Sequence, residues 1–323
     1  MEYLLAEQVP FDQLYIVDFD LIIAVSGYEE RCTYLVDKIK TGDALCRVLA
    51  FSEKKNELSR PGNDVRFREL GFEFTEQSGN ECPETEELLT EIIDSGKSQI
   101  NILVDYSCMT KLWYASILNY FSTAELDFKR VSVFFSYTGA LYSEPQKPGP
   151  LKIAEPIGCR MPVITSSKPV ALVMGLGYEK ERADMLTSSM NPDNIYVFYA
   201  DPSDDQRFVE KVYINNFRLI DSLHRDQVIT YPIRDLRKID ELLTDLCLDL
   251  RLEYRVILAP LGPKPFSLCC LLLAARYPDI EVWRISAGKA ERPYDRKAHG
   301  EPLIYKIMFG QEEDYEEDPE EQA

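Results

Sequence analysis

Ser26-Gly27-Tyr28-Glu29-Glu30-Arg31 follows an apolar run, Leu21-Ile22-Ile23-Ala24-Val25. The arrangement returns as Gly177-Tyr178-Glu179-Lys180-Glu181-Arg182 behind Ala171-Leu172-Val173-Met174, with one residue inserted. Glu87-Leu88-Leu89-Thr90 returns as Glu241-Leu242-Leu243-Thr244, and Ser136-x-x-Gly139 as Ser286-x-Gly288. Gly27 to Ser136 and Gly177 to Ser286 are both separations of 109 residues. Three matches in one order at similar offsets read as an internal duplication.

Each copy alternates strands with helices. In the first, strands are expected at 20–25, 48–51, 72–75, 102–104 and 131–135. Cys32, Leu35, Val36 and Ile39 fall on one face of a 3.6-residue period and predict a helix there. Pro83 suits the start of a second helix and Gly96 its end. A third runs from about Met109 to Phe121. The second copy predicts strands near 170–174, 195–200, 227–231, 255–259 and 280–285, and helices near 179–190, 204–224, 238–250 and 265–276. Such alternation implies parallel sheets covered on both faces. The expected fold class is therefore α/β: two tandem Rossmann-like, doubly wound parallel-sheet domains forming an internal pseudo-dimer. The expected boundaries are 1–141 and 169–310, with a Pro-rich linker over 142–168 (Pro145, Pro148, Pro150, Pro156, Pro162) and an acidic, disordered tail over 311–323.

At 323 residues, 45% hydrophobic and 28% charged, the chain has the composition of a globular protein of about two domains. It carries 36 Lys+Arg against 55 Asp+Glu, a net charge of −19, and without the tail's eight acids it is still acidic. That argues against duplex nucleic acid as a partner. Neither a signal peptide nor a membrane span is expected: the start lacks a basic and apolar leader, and Val256–Ala275 is broken by Gly262, Lys264 and three prolines. Two histidines and eight cysteines without a C-x-x-C pair point to no metal site, no cofactor and a reduced, cytoplasmic protein.

In a doubly wound sheet, ligands bind beyond the carboxyl ends of strands one and four, where strand order reverses. The candidate ligand-binding residues are those of the loops there: Ser26, Gly27, Arg31, Asp105, Ser107, Thr110 and Lys111 in the first copy, and Gly177, Glu179, Arg182, Gly262 and Lys264 in the second. Lys111 and Lys264 each stand where a helix begins. A cation there runs against the helix dipole and favours an anionic ligand. Ser107 and Thr110 suit a helix cap or an oxyanion. For an enzyme, Ser107 and Lys111 would stabilise charge, with Glu29 or Glu30 as base. The structural alternatives stay open: Gly27 and Gly177 as turn residues, Arg31 and Arg182 as surface ion pairs, Cys108 as a packing residue. Neither loop carries a full dinucleotide or P-loop fingerprint.

These lysine loops, Asp105-Tyr106-Ser107-Cys108-Met109-Thr110-Lys111 and Pro260-Leu261-Gly262-Pro263-Lys264-Pro265, set on two fused Rossmann-like halves, resemble the CARF and SAVED sensor families of prokaryotic antiviral defence. The resemblance covers about residues 15–140 and 168–290 and is architectural, with neither loop carrying a Gly-Gly-Thr run. It implies that a nucleotide or cyclic-oligonucleotide second messenger sits across the pair and that a protein effector partner reads the bound state. Ser26, Ser107 and Lys111 are the residues that could imitate ring-nuclease cleavage. The expected functions are, in order, such a sensor, an enzyme cleaving a nucleotide or oligonucleotide, and a structural subunit with degenerate sites. Self-association is left open.

Overall fold

The computed structural model describes residues 1–145, 152–157, 167–286 and 294–310. It is α/β, built on two sheets of mostly parallel strands with seven α-helices among the described residues. The first sheet contains β1 (Glu2–Val9), β2 (Leu21–Ser26), β3 (Leu45–Phe51), β4 (Glu73–Gln77), β5 (Gln99–Asp105), β6 (Arg130–Ala140) and β13 (Ala298–Gly310). The second contains β7 (Ile153–Pro156), β8 (Val170–Gly175), β9 (Asn194–Ala200), β10 (Val228–Tyr231), β11 (Arg255–Pro260) and β12 (Glu281–Ser286). The helices are α1 (Arg60–Glu69), α2 (Thr85–Ile93), α3 (Lys111–Thr123), α4 (Arg182–Met190), α5 (Gln206–Ser222), α6 (Leu236–Glu253) and α7 (Lys264–Arg276).

The five parallel strands of the first sheet lie in the order β4-β3-β2-β5-β6, and those of the second in the order β10-β9-β8-β11-β12. Counted within each copy, both are 3-2-1-4-5. Strand order reverses between β2 and β5 in one half and between β8 and β11 in the other, as a Rossmann-like duplication requires.

Antiparallel additions extend both sheets. β13 pairs with β6 and β1 of the first sheet, while β7 pairs with β12 of the second. The chain that follows strand five of each half thus joins the other half's sheet. Two expected boundaries are corrected by this. Residues 298–310 belong to the first sheet, and the stretch 142–168 contains β7. The reason lies in β6, where both faces are almost wholly buried and an open edge would leave backbone groups unpaired. β13 covers that edge with Leu303, Ile304, Tyr305, Ile307 and Phe309, all buried. The strand read at 131–135 accordingly runs on to Ala140, so Ser136 and Gly139 lie within it. Pro148, Pro150, Pro162, Gly288 and the acidic tail lie outside the described residues.

The helix expected over 32–39 is instead a 3-10 turn, Glu30–Thr33, followed by further turns. Its first amides are drawn elsewhere: Glu30 N–H donates to Asp295 Oδ1 at 2.7 Å and Arg31 N–H to the Arg296 carbonyl at 3.3 Å. Cys32, Leu35, Val36 and Ile39 are still buried, so the apolar spacing marked the inward face but not its winding. The largest core cluster takes side chains from both sheets and from α2, α3, α6 and α7, and a smaller cluster lies beneath the remaining elements of each half. No helix among the described residues is long and apolar enough to cross a membrane.

A chain ending at Lys297 lacks β13 and leaves β6 with a bare edge. Amide exchange in β1 and β6 is expected to speed by about tenfold or more, because local opening follows lost pairing. Unchanged protection at those strands, far from the cut in sequence, would show that β13 does not hold them.

Candidate functional site

The loops after β2, β5, β8 and β11 meet where α3 packs against α7. Each lysine reaches across this seam. Lys111 Nζ donates to the carbonyl of Pro260 in the second half. Lys264 Nζ donates to the carbonyls of Tyr106 at 3.1 Å, Ser107 at 2.6 Å and Met109 at 2.7 Å in the first. An ammonium has three protons, so Lys264 is fully engaged by the main chain. Both amines thus reach carbonyls of the opposite half.

Arg31 is the centre of the first half's site. It is buried, and its guanidinium donates to Glu29 Oε2 at 2.7 Å, the Thr138 carbonyl at 2.6 Å and the Ser107 carbonyl at 3.1 Å. Beneath it, Ser107 Oγ donates to Asp105 Oδ1 at 2.5 Å and accepts from the Thr138 amide at 2.8 Å. The surface ion pair considered for Arg31 is therefore an enclosed network joining strands one, four and five. Arg182 pairs with Glu179 as a local ion pair in the second half.

The electrostatics follow from burial and from unlike charges in contact. Burial alone would raise the Glu29 carboxyl, but Arg31, Arg296 and Lys264 outweigh it and hold it below the usual carboxylate range. Burial raises Asp105, against the pull of Ser107, Arg31 and Lys264. Burial brings Lys264 down from 10.5 to about 8, with Cys108 and Glu29 opposing and Arg31 and Arg296 assisting.

The other expected residues divide clearly. Ser26 is buried and donates to Asp64 Oδ1 at 2.5 Å, so its hydroxyl is directed to α1. Thr110 stands at the N-cap of α3 without making a capping bond. Glu30 is exposed, 3.5 Å from Lys297. Gly177 and Gly262 face each other's loops: a Cβ at Gly177 would lie 2.7 Å from the Leu261 carbonyl oxygen, and one at Gly262 2.5 Å from that of Leu176. Their missing side chains are explained by backbone contact between two loops. Gly27 meets only side chains, Phe51 at 3.3 Å and Cys32 at 3.4 Å.

Several participants were not picked out in sequence. Asn63 Nδ2 donates to the carbonyls of Gly27 and Glu29, both at 2.9 Å, and Asn216 Nδ2 to that of Gly177 at 3.0 Å. The two asparagines thus clamp the two motif loops in matching ways. Arg296 and Tyr294 complete the rim, with the Tyr294 hydroxyl 3.2 Å from that of Tyr178. A signal for them existed: residues 287–297 hold four bases and two acids in an otherwise acidic chain. The cysteines are free as expected among most described positions, but Cys82 is disulfide-bonded, which corrects the wholly reduced reading. Among the described residues, no group of three or more His, Cys, Asp or Glu could hold a metal ion.

Gly177→Ala and Gly262→Ala are each expected to destabilise by about 1–3 kcal/mol through forced overpacking. Gly62→Ala, in the open on α1, is expected to stabilise by about 0.5–1 kcal/mol. Urea unfolding of the three variants checks both signs. Lys264 also makes stability depend on pH. Between about pH 8 and 10.5 the unfolded chain holds a proton that the folded chain has released, so this group's contribution rises with pH and is least favourable below 8. Comparing wild type with Lys264→Met at pH 7.5 and 9.5 is expected to show the difference moving in favour of wild type at the higher pH. No family model, no curated protein and no solved structure matches this chain.

Proposed function

We propose that this chain is a binding module for a nucleotide-type anionic ligand, a nucleotide or cyclic oligonucleotide second messenger, that sits between the two halves and is read by a partner protein. The observation that carries this reading is that the strand-order reversals of both sheets open onto one seam, and that this seam is crossed by both lysines. Arg31, Arg296 and Lys264 gather there around the carboxylate of Glu29. A phosphate at the rim would be drawn to Arg296 and would compete with Glu29 and the main-chain carbonyls for Arg31 and Lys264. Because the same ammonium groups hold the halves together, occupancy would alter how the halves meet. That is what a sensor read by a partner protein needs.

A second reading, an enzyme acting on a nucleotide or oligonucleotide, is favoured by one asymmetry. Asp105 and Ser107 form a buried acid–hydroxyl pair in the first half, and Pro260 and Leu261 stand at the matching loop of the second. Ser107 and Arg31 are both enclosed, so in that reading Glu29 would act as the base at the rim.

The test is a thermal-shift series of wild type, Lys111→Met, Lys264→Met and Arg296→Ala against ATP, AMP and cyclic di-, tri- and tetra-adenylate, each variant referenced to its own unliganded melting temperature. A ligand at 100 times its dissociation constant is expected to add about 2.7 kcal/mol to wild type. Loss of the shift in both lysine variants supports the shared seam. Loss in Arg296→Ala with cleavage of the ligand by wild type supports the enzyme. No shift with any of the five probes overturns both.

A further inference from the structure

α5 carries apolar side chains on two faces, and the fold uses one of them. Val209, Val212 and Leu219 turn inward, the last two into the second half's smaller core cluster. Tyr213, Ile214 and Phe217 turn outward and are 44%, 66% and 46% exposed. The Tyr213 and Phe217 rings meet edge to face with centroids 5.9 Å apart, so the three form one patch centred on Ile214. Large apolar side chains gathered in this way on a surface mark a contact face.

The charges around the patch specify what covers it. The outward stripe of α5 runs Arg207, Glu210, Ile214, Arg218 and Asp221, in steps of three or four residues that keep to one side of the helix. Glu210 and Arg218 stand four residues either side of Ile214, and Arg207 and Asp221 seven. At the α-helical rise the inner two lie about 6 Å from the centre. Opposite signs thus fall at equal distances on opposite sides. When two copies of such a helix lie antiparallel about a twofold axis at Ile214, each residue faces the one equally far beyond the centre. Glu210 of each copy then faces Arg218 of the other, and both pairs form at once. A parallel pairing in register would instead set like charge against like. Glu210 and Arg218 are exposed and make no ion pair among the described residues. Arg207 is already held by Asp205 at 2.6 Å, so the inner pair sets the register.

We propose that the outward face of α5 docks on the same face of a second copy of this chain, antiparallel about Ile214, with the apolar patches in contact and a Glu210–Arg218 pair at each end. The contact is isologous and closes at two copies. Three apolar side chains from each copy make a small interface, so the dimer dissociates on dilution. α5 also holds the motif loop of the second half: Asn215 Nδ2 donates to the Tyr178 carbonyl at 2.6 Å and Asn216 Nδ2 to that of Gly177 at 3.0 Å. The two copies are therefore joined through the helix that clamps this loop. The proposal does not depend on which ligand the seam takes.

The experiment is sedimentation velocity of the full chain over a dilution series, for wild type, Glu210→Arg, Arg218→Glu and the double reversal. Wild type is expected to pass from dimer to monomer on dilution. Each single reversal sets two like-charged pairs face to face and is expected to weaken association about tenfold or more. Glu210→Arg makes the chain less negative than −19, so a general charge effect would strengthen association instead. The double reversal restores opposite charges at both ends and is expected to recover the wild-type behaviour. Independently, Ile214→Cys is expected to cross-link copy to copy through position 214 under mild oxidation, and Leu252→Cys, on the exposed face of α6, is not. A chain monomeric at every concentration, a dimer untouched by either single reversal, a double reversal no better than the singles, or cross-linking as fast in Leu252→Cys as in Ile214→Cys would each overturn the proposal. All four positions are exposed, and the cross-link decides alone should a reversal variant fail to fold.

Discussion

Two ammonium groups cross one seam in opposite directions, and two strands cross with them. Lys111 binds the loop of the second half, Lys264 binds the loop of the first, β7 completes the second sheet and β13 completes the first. An ammonium in an enclosed place is tolerated only when its protons are taken, and main-chain carbonyls at a strand end are the acceptors on offer. Two of those carbonyls take a second donor as well, Tyr106 from the Met109 amide and Ser107 from Arg31. Each lysine therefore satisfies the opposite half's backbone.

The frame is symmetric and the site is not. Both halves share the 3-2-1-4-5 strand order, a motif loop after strand one clamped by an asparagine, and a lysine at the start of the helix after strand four. In the second half the two loops close by direct backbone contact between Gly177 and Gly262, which leaves no room for side-chain chemistry. In the first half they are bridged by the Arg31 guanidinium, with Glu29, Asp105 and Ser107 around it. One copy supplies close packing and the other supplies polar groups, a division that duplication permits because each copy relieves the other of one task.

An acidic chain can still present cations in one place. The net charge of −19 sets the far field, which repels polyanions and is screened beyond about 8 Å at physiological salt. The near field at the seam is set by Arg31, Arg296 and Lys264, whose charges reach Glu29 and hold it ionised in spite of burial. Overall charge thus does not fix the sign of the local field at the seam.

The alternation of apolar strands and amphipathic helices was legible in the sequence because it is local: periodicity within ten or fifteen residues determines which face is buried, and the parallel strands and most of the helices stand where it put them. The duplication was legible because motif and spacing recur together. Three things were decided only by tertiary structure. The stretch from Glu30 winds as a 3-10 turn rather than the expected helix, and its first amides are held by Asp295 and Arg296, some 265 residues away. The last strand joined the first sheet because an edge of β6 buried on both faces needed a partner, and nothing local in Leu303–Phe309 names which sheet that partner is in. The lysines were found by position, yet their direction across the seam depends on how two halves dock, which no single stretch of chain encodes.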